Sequence, residues 1–410
     1  MLKNLRQRFV VLLSVLGPGV ITAVVDNDAG GLLMYSEAGA RWGYVTLWTM
    51  LPVTLILIIT QVMCSRMAAV TGKGLSDLIR EEFGLRTTFF VMLVLLIVNL
   101  TNVTANFAGI AGSLELFHIN RVISVPLGAL LVWTLVVRGS YRVVEKIFLV
   151  SSCLFIAYAI SAFLVEPNWG EALRASVTPV VNLDRPYLII LIGLVGTSVA
   201  PWMQFYLQAS IVEKGVDLKQ YPESRTEVII GCVVMALIKF FVIVACAGAI
   251  WEHGPRQISD ISEAAVALRP LGEYAYILFS AGLFNASLLA ASVLPLSTAY
   301  SVCEGLGFES GVNHRFSEAK VFYWLYTLLI VIGAGLVLLP EFPLVQMILL
   351  SQVLNGILLP LILILILILV NRRELMGKWA NSQLYNLVAY ATVAVIIVLS
   401  VTLGVVSITE

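Results

Sequence analysis

The sequence predicts an all-α polytopic membrane protein with about eleven transmembrane helices. Three observations favour this fold class. The 410 residues are 60% hydrophobic and only 12% charged, about half the charge of a soluble domain. The mean hydropathy is +0.96. Apolar segments also repeatedly exceed the ~18 residues that mark a membrane-spanning helix, so a lipid bilayer is the expected environment, and a soluble enzyme or a disordered regulator is excluded.

Short charged loops divide the chain into eleven apolar spans, which we assign to one transmembrane domain, residues 1–410. The predicted spans are roughly 10–37, 45–68, 88–117, 121–137, 144–165, 187–212, 227–251, 271–303, 318–338, 343–371 and 384–408. Residues 361–370 read LILILILILV and alternate with a period of two. A lone strand in lipid would leave its backbone groups unpaired, so we assign this stretch to a helix.

The basic residues predict the orientation of the chain. Eighteen of the 25 Lys and Arg residues fall on one side of the predicted membrane and six on the other, while Lys239 lies within the seventh span. Positive charge accumulates in cytoplasmic loops. We therefore expect a cytoplasmic N-terminus and an external C-terminus.

Acidic residues and glycines interrupt the first span. Residues 26–31 read DNDAGG. Buried carboxylates are costly and paired glycines weaken a helix, so we expect a break that exposes carbonyls and aims a negative helix end at the gap. Carboxylate and carbonyl oxygens suit a cation. Alternatively, Asp28 merely caps the second half-helix, and Asp26 either faces a polar cavity or pairs with a lysine. Lys239 is expected to snorkel or to pair structurally.

A proline interrupts the sixth span. Residues 196–202 read GTSVAPW, and a proline in a helix removes a hydrogen bond and clashes with the preceding turn. Breaks in the first and sixth spans predict an inverted 5+5 repeat. Helices 1–5 occupy about 10–165, helices 6–10 about 187–371 and helix 11 about 384–408, with the substrate held between the two breaks.

The sequence does not support an enzyme. HExxH and GxSxG motifs are absent, and His118, His253 and His314 all fall in predicted loops. The net charge of zero provides no basic footprint for nucleic acid. We therefore expect no cofactor, no nucleic-acid partner and no obligate protein partner.

The order of several short motifs resembles that of the NRAMP transition-metal transporters. These motifs are Gly17-Pro18-Gly19, Asp28, Glu37-Ala38-Gly39-Ala40, Trp42-Gly43-Tyr44, Gln61, Ser65-Arg66, Thr71-Gly72-Lys73, Ala200-Pro201, Leu207, Ser351-Gln352-Val353 and Leu359-Pro360. The resemblance covers roughly residues 15–365. It implies the amino-acid/sodium-symporter (LeuT-like) fold and a bacterial inner membrane.

The chain departs from the family at its metal ligands. The family motif Asp-Pro-Gly-Asn matches residues 28–31, so Asp28 is kept and Gly31 replaces the asparagine ligand. The family motif Met-Pro-His matches residues 200–202, so Ala200 replaces the soft sulfur ligand and Trp202 the histidine.

The resemblance also places other parts of the ion path. Thr197 matches an alanine whose carbonyl can bind metal, and Gln352 matches a glutamine that approaches the ion. Asn102 and Ala105 match third-helix acids that are implicated in proton movement. The implied ion path consists of Asp28, Gly31, Thr197, Ala200 and Gln352, with Asp26 beside it. The implied losses from the proton relay are at Asn102, Ala105 and Trp202.

These departures favour hard cations. Carboxylate, carbonyl and water ligands suit Mg²⁺, Ca²⁺ and Mn²⁺, and the lost side chains are expected to vacate volume for a partly hydrated Mg²⁺. The pattern is similar to the NRAMP-related magnesium transporters, which implies uncoupled Mg²⁺ uptake with Mn²⁺ also carried. Two alternatives stay open: a proton-coupled Mn²⁺/Fe²⁺ importer and a sodium-coupled organic-solute symporter.

Overall fold

The computed structural model describes residues 18–137, 152–312 and 314–409. Within these ranges every regular element is a helix, which confirms the all-α prediction. The predicted residues 10–17 of the first span and 144–151 of the fifth lie outside the described residues.

Sixteen α-helices follow one another along the described chain. They are α1 Pro18–Val25, α2 Ala29–Trp42, α3 Met50–Thr71, α4 Leu75–Glu115, α5 Arg121–Val137, α6 Ile156–Leu164, α7 Trp169–Val177, α8 Arg185–Ser198, α9 Pro201–Glu213, α10 Tyr221–Ala249, α11 Ile261–Ala265, α12 Ala275–Leu306, α13 Lys320–Val337, α14 Leu344–Asn371, α15 Arg373–Met376 and α16 Gln383–Thr409.

Helices occupy the positions of all the predicted spans over their described residues. Eight are long and apolar enough to cross a membrane, and α6 and α7 form a bent pair at 115° that raises the number to nine. Helix α5 is apolar but shorter, and the first span is broken into α1 and α2. The alternating run at 361–370 is helical within α14, as predicted.

Helix α4 has a polar first segment ahead of the third span. It starts at Leu75, and Gly84 interrupts it with the non-helical angles φ 79° and ψ 168°, so its apolar part follows this kink, close to the predicted start near residue 88. The first segment is polar, with Asp77, Arg80 and Glu81. A hydropathy pattern does not detect such a segment because it lies before the apolar run.

Glycines allow the helices around the two breaks to approach closely. A Cβ on Gly196 in α8 would lie 2.1 Å from the carbonyl oxygen of Gln352 in α14. A Cβ on Gly39 in α2 would lie 2.4 Å from the carbonyl oxygen of Ile243 in α10. Small residues at such contacts let backbones meet in a membrane bundle. The broken first span is thereby held against α10, and α8 against α14.

Both predicted helix breaks are present. Helix α1 ends at Val25 and α2 begins at Ala29, with Asp28 extended at φ −74° and ψ −173°. Helix α8 ends at Ser198 and α9 begins at Pro201, and Val199 between them has φ −129° and ψ 47°.

Candidate metal-ion site

Asp28 lies at the centre of the first break. Its Oδ1 accepts a hydrogen bond from the Gly31 amide at 2.8 Å, and its Oδ2 accepts one from Asn106 Nδ2 at 2.8 Å. The residue is 6% exposed. Asp28 therefore caps α2, as one sequence alternative proposed, where the positive end of the helix stabilises its charge. Each carboxylate oxygen keeps a further lone pair, so capping does not prevent Asp28 from binding a cation.

Asn106 in α4 is a site residue that the sequence reasoning missed. Its Nδ2 donates to the Asp28 carboxylate, and its Oδ1 accepts from the Ala29 amide at 3.3 Å. It therefore bonds both the cap residue and the first residue of α2. Ala105, which the resemblance matches to an acidic residue of the family, is fully buried in the apolar core. Asn99, Asn102 and Asn106 follow helical spacing, and this spacing is the signal that could have identified Asn106.

The second break supplies an unbonded hydroxyl. Thr197 in α8 is 1% exposed, and its Oγ1 makes no hydrogen bond within the described part of the chain. A Cβ on Gly31 would lie 3.2 Å from this oxygen and 2.7 Å from the Asp26 carbonyl oxygen. A buried polar atom without a partner is costly. The Thr197 hydroxyl oxygen is therefore free to bind a ligand such as a cation.

The expected space beside Gly31 is absent from this conformation. The Asp26 carbonyl and the Thr197 hydroxyl converge where an asparagine side chain would begin. The prediction that loss of the asparagine vacates volume is therefore wrong at this position, because a backbone oxygen and a hydroxyl oxygen occupy it. Ala200 caps α9, and its carbonyl accepts from the Met203 amide at 3.1 Å.

Gln352 in α14 reaches the first break. A Cβ on Gly30 would lie only 1.7 Å from Gln352 Nε2. That nitrogen donates to Ser351 Oγ at 2.9 Å and to Asn102 Oδ1 at 3.4 Å. Gln352 therefore lies against the backbone of the ion-path segment, where the resemblance placed it.

Neutral amides connect α4 to α14 behind this glutamine. Asn102 and Asn355 exchange two hydrogen bonds, each 2.9 Å long. Asn355 Nδ2 also donates to Gln352 Oε1 at 3.2 Å. Trp202, at the position of the family histidine, is buried beside Tyr206 with a ring separation of 6.3 Å. The three positions expected to have lost the proton relay thus carry an amide, a methyl group and an indole.

Asp26 is paired with a lysine. Its Oδ2 accepts a hydrogen bond from Lys239 Nζ in α10 at 2.8 Å, and both side chains are almost fully buried. Of the two sequence alternatives, the structure shows the pairing. Only the backbone carbonyl of Asp26 joins the group around Gly31.

One carboxylate therefore dominates the candidate site. Within the described ranges, no group of three or more His, Cys, Asp or Glu side chains is arranged to hold a metal. The oxygens gathered here are the Asp28 carboxylate, the Thr197 hydroxyl and the Asp26 carbonyl. This set consists of hard oxygen ligands, which suit cations such as Mg²⁺, Ca²⁺ and Mn²⁺.

Known proteins of similar sequence are metal transporters. The divalent metal cation transporter MntH of Ralstonia nicotianae is 29% identical over 410 residues, which cover 94% of this chain and 89% of that protein. The MntH protein of Granulibacter bethesdensis is 25% identical over 400 residues, which cover 94% and 87% respectively.

Two solved structures have a similar fold. A crystal structure of a mutant Eremococcus coleocola manganese transporter matches with a TM-score of 0.75 at 17% identity, covering 94% of this chain and 84% of that chain. Mhp1, a nucleobase-cation-symport-1 family transporter, matches with a TM-score of 0.58 at 14% identity, covering 95% and 90%. These likenesses concern the fold alone and confirm the predicted LeuT-like architecture.

A family model settles the membership of the chain. The model is described as natural resistance-associated macrophage protein-like, Nramp, and it matches residues 19–406. The match extends over both broken spans and nearly the whole described chain. The protein therefore belongs to the Nramp family of multi-pass membrane transporters and is not an enzyme.

Proposed function

We propose that this protein carries divalent metal cations across the membrane by alternating access, with Asp28 as the charged ligand. One observation carries the proposal: the buried Asp28 carboxylate lies at the break of α1 and α2, and the unbonded Thr197 hydroxyl reaches the same segment from the break of α8 and α9. Transporters of this architecture bind substrate between two such breaks. The relatives named as divalent metal cation transporters support the class of substrate.

The substrates we infer are Mn²⁺ and Mg²⁺. Both accept carboxylate, carbonyl and water ligands. Mn²⁺ has the additional support of the manganese transporter of similar fold, whereas Mg²⁺ rests on the hard ligand set around Asp28. The missing sulfur at Ala200 removes the soft ligand that would favour Fe²⁺ or softer metals.

Transport is inferred to be uncoupled from protons. The positions where family members carry relay groups hold Asn102, Ala105 and Trp202, and the network around Gln352 consists of neutral amides. The driving force is then the ion gradient plus the membrane potential, which contributes about 2.3 kcal/mol per charge per 100 mV. An inside-negative potential drives a divalent cation inwards, so the direction is uptake. The basic residues favour a cytoplasmic N-terminus and an external C-terminus in the inner membrane.

The competing function is a proton-coupled Mn²⁺/Fe²⁺ importer. Its substrate is supported by the names of similar proteins, because the sequence relatives are called divalent metal cation transporters and the similar structure is a manganese transporter. The two functions differ in whether protons accompany the metal and in whether Mg²⁺ is carried.

The deciding experiment measures ion uptake and internal pH together. Reconstituted protein in liposomes with an inside-negative potential is given Mg²⁺ or Mn²⁺, with Asp28→Ala as the inactive control. Uptake of both ions without acidification is the expected result. Mn²⁺ uptake with acidification, and no Mg²⁺ uptake, would establish the proton-coupled function instead.

A further inference from the structure

The buried Asp26–Lys239 pair bridges the first break and α10. The carboxylate and the ammonium are 2.8 Å apart, and neither side chain is more than 3% exposed. Removing one partner of such a pair leaves an uncompensated buried charge, whereas removing both is far less harmful. Asp26 lies only two residues from Asp28, so a change that leaves either charge of the pair unmatched influences any cation bound there.

Neutral side chains pack against the pair in the described part of the chain. Tyr35 in α2 faces it, with its ring centroid 5.3 Å from Lys239 Nζ, and the Tyr35 hydroxyl is bonded to Ser198 Oγ in α8 at 2.6 Å. Cys232 in α10 and Thr54 in α3 line the small adjoining cavity together with apolar side chains. Asp28 directs its oxygens elsewhere, to Gly31 and α4.

The charges at the first break can therefore be counted. The break carries two carboxylates, Asp26 and Asp28, and the ammonium of Lys239 is paired with the first of them. The segment carries a net charge of minus one when all three are ionised, and it would carry minus two without the lysine. A divalent ion thus meets a site that neutralises half of its charge.

We propose that Lys239 is a tethered cation that cancels the charge of Asp26, so that a divalent ion meets Asp28 as its single uncompensated carboxylate. A site that neutralises only half of the charge of the ion favours turnover, because the ion must bind well enough to enter and loosely enough to leave. It also leaves no second uncompensated carboxylate at the described break for a co-transported cation. The proposal rests on the proposed function, since it assumes that the ion binds at Asp28.

A structural role for the pair predicts something different. If the pair only ties the first break to α10, then Asp26→Asn and Lys239→Met both lower stability, and the folded molecules keep the metal affinity of the wild type. If Lys239 tunes the site, the two changes shift affinity in opposite directions. An unpaired Asp26 attracts the ion, and an unpaired Lys239 repels it.

The experiment measures Mn²⁺ affinity by calorimetry and the KM and maximal rate of Mn²⁺ flux in proteoliposomes. We expect Lys239→Met to lower Kd and KM by about tenfold and to slow the maximal rate, because release becomes harder. Asp26→Asn should raise Kd by about tenfold. The double variant should return to within about threefold of wild type. Cys232→Ala, a neutral change beside the pair, is the matched control and should leave Kd unchanged.

Shifts of both single variants in the same direction, or unchanged Kd in both, would overturn the proposal. If one single variant does not fold, the other single variant and the double variant still show in which direction the Kd for Mn²⁺ changes. The variant Asp28→Asn distinguishes failure of the metal site at Asp28 from failure of the role of Lys239. If Asp28→Asn retains Mn²⁺ binding, the proposed function fails. If it abolishes binding while the pair variants leave Kd unchanged, only the role of Lys239 fails.

Discussion

Replacing Gly30 by alanine tests the close approach of Gln352 to the broken first span. The added Cβ would lie 1.7 Å from Gln352 Nε2 and 3.1 Å from Asp28 Oδ1. The first separation is far inside any van der Waals contact, so the amide must swing away. It then loses its hydrogen bonds to Ser351 Oγ at 2.9 Å and to Asn102 Oδ1 at 3.4 Å.

The size of the effect follows from these lost contacts. A neutral hydrogen bond contributes about 1 kcal/mol, and the flexible end of Gln352 relieves the clash when it swings away. We expect Gly30→Ala to lower the free energy of unfolding by about 2 kcal/mol, the value of the two lost hydrogen bonds. Mn²⁺ affinity should fall by about tenfold, since the loss of one polar contact of about 1.4 kcal/mol corresponds to that factor.

The assays are thermal unfolding in detergent and Mn²⁺ flux in proteoliposomes. Gly335→Ala in α13 is the matched control, because no heavy atom lies within 4 Å of its added Cβ. It should leave flux unchanged. The reasoning is refuted if Gly30→Ala alone keeps the melting temperature and flux of the wild type.

Three further predictions concern the same site. Asp28→Asn should lower Mn²⁺ affinity by at least about a hundredfold and lower the melting temperature only modestly, because asparagine still caps α2 while its amide nitrogen loses the hydrogen bond from Asn106; calorimetry and thermal unfolding together test this. Thr197→Val should weaken Mn²⁺ binding by about tenfold without destabilising the protein, since its hydroxyl has no hydrogen bond to lose; a fall in melting temperature with unchanged affinity would contradict it. Gly196→Ala should prevent folding, because its Cβ would meet the Gln352 carbonyl at 2.1 Å; a monodisperse peak in size-exclusion chromatography would show the opposite.

The helix breaks were predictable from the sequence because their causes are local. Adjacent glycines at 30 and 31 weaken a helix wherever it lies, and Pro201 removes a backbone donor irrespective of its neighbours. The structure places the breaks next to these residues. The span positions follow equally from local composition, except where the polar start of α4 precedes the apolar run.

The contents of the site depended on tertiary contacts and were less predictable. Whether space remains beside Gly31 is decided by where Thr197 and the Asp26 carbonyl lie, and sequence alone cannot place these groups. The partner of Asp26 was left open between a cavity and a lysine. The partner is Lys239, which is 213 residues away in the chain and reaches Asp26 only through the packing of α10 against the first break.

The neutrality of the amide network connects the ion site to the proposed mechanism. Gln352 touches the broken segment on one side and Asn102 and Asn355 on the other. Breaking these contacts would cost neutral hydrogen bonds, each of about 1 kcal/mol, and would separate no charge. Asp26 is already compensated by Lys239. Under the proposed function, the only charge that crosses the membrane is therefore that of the ion, so the electrical driving force should correspond to two charges for each divalent cation carried.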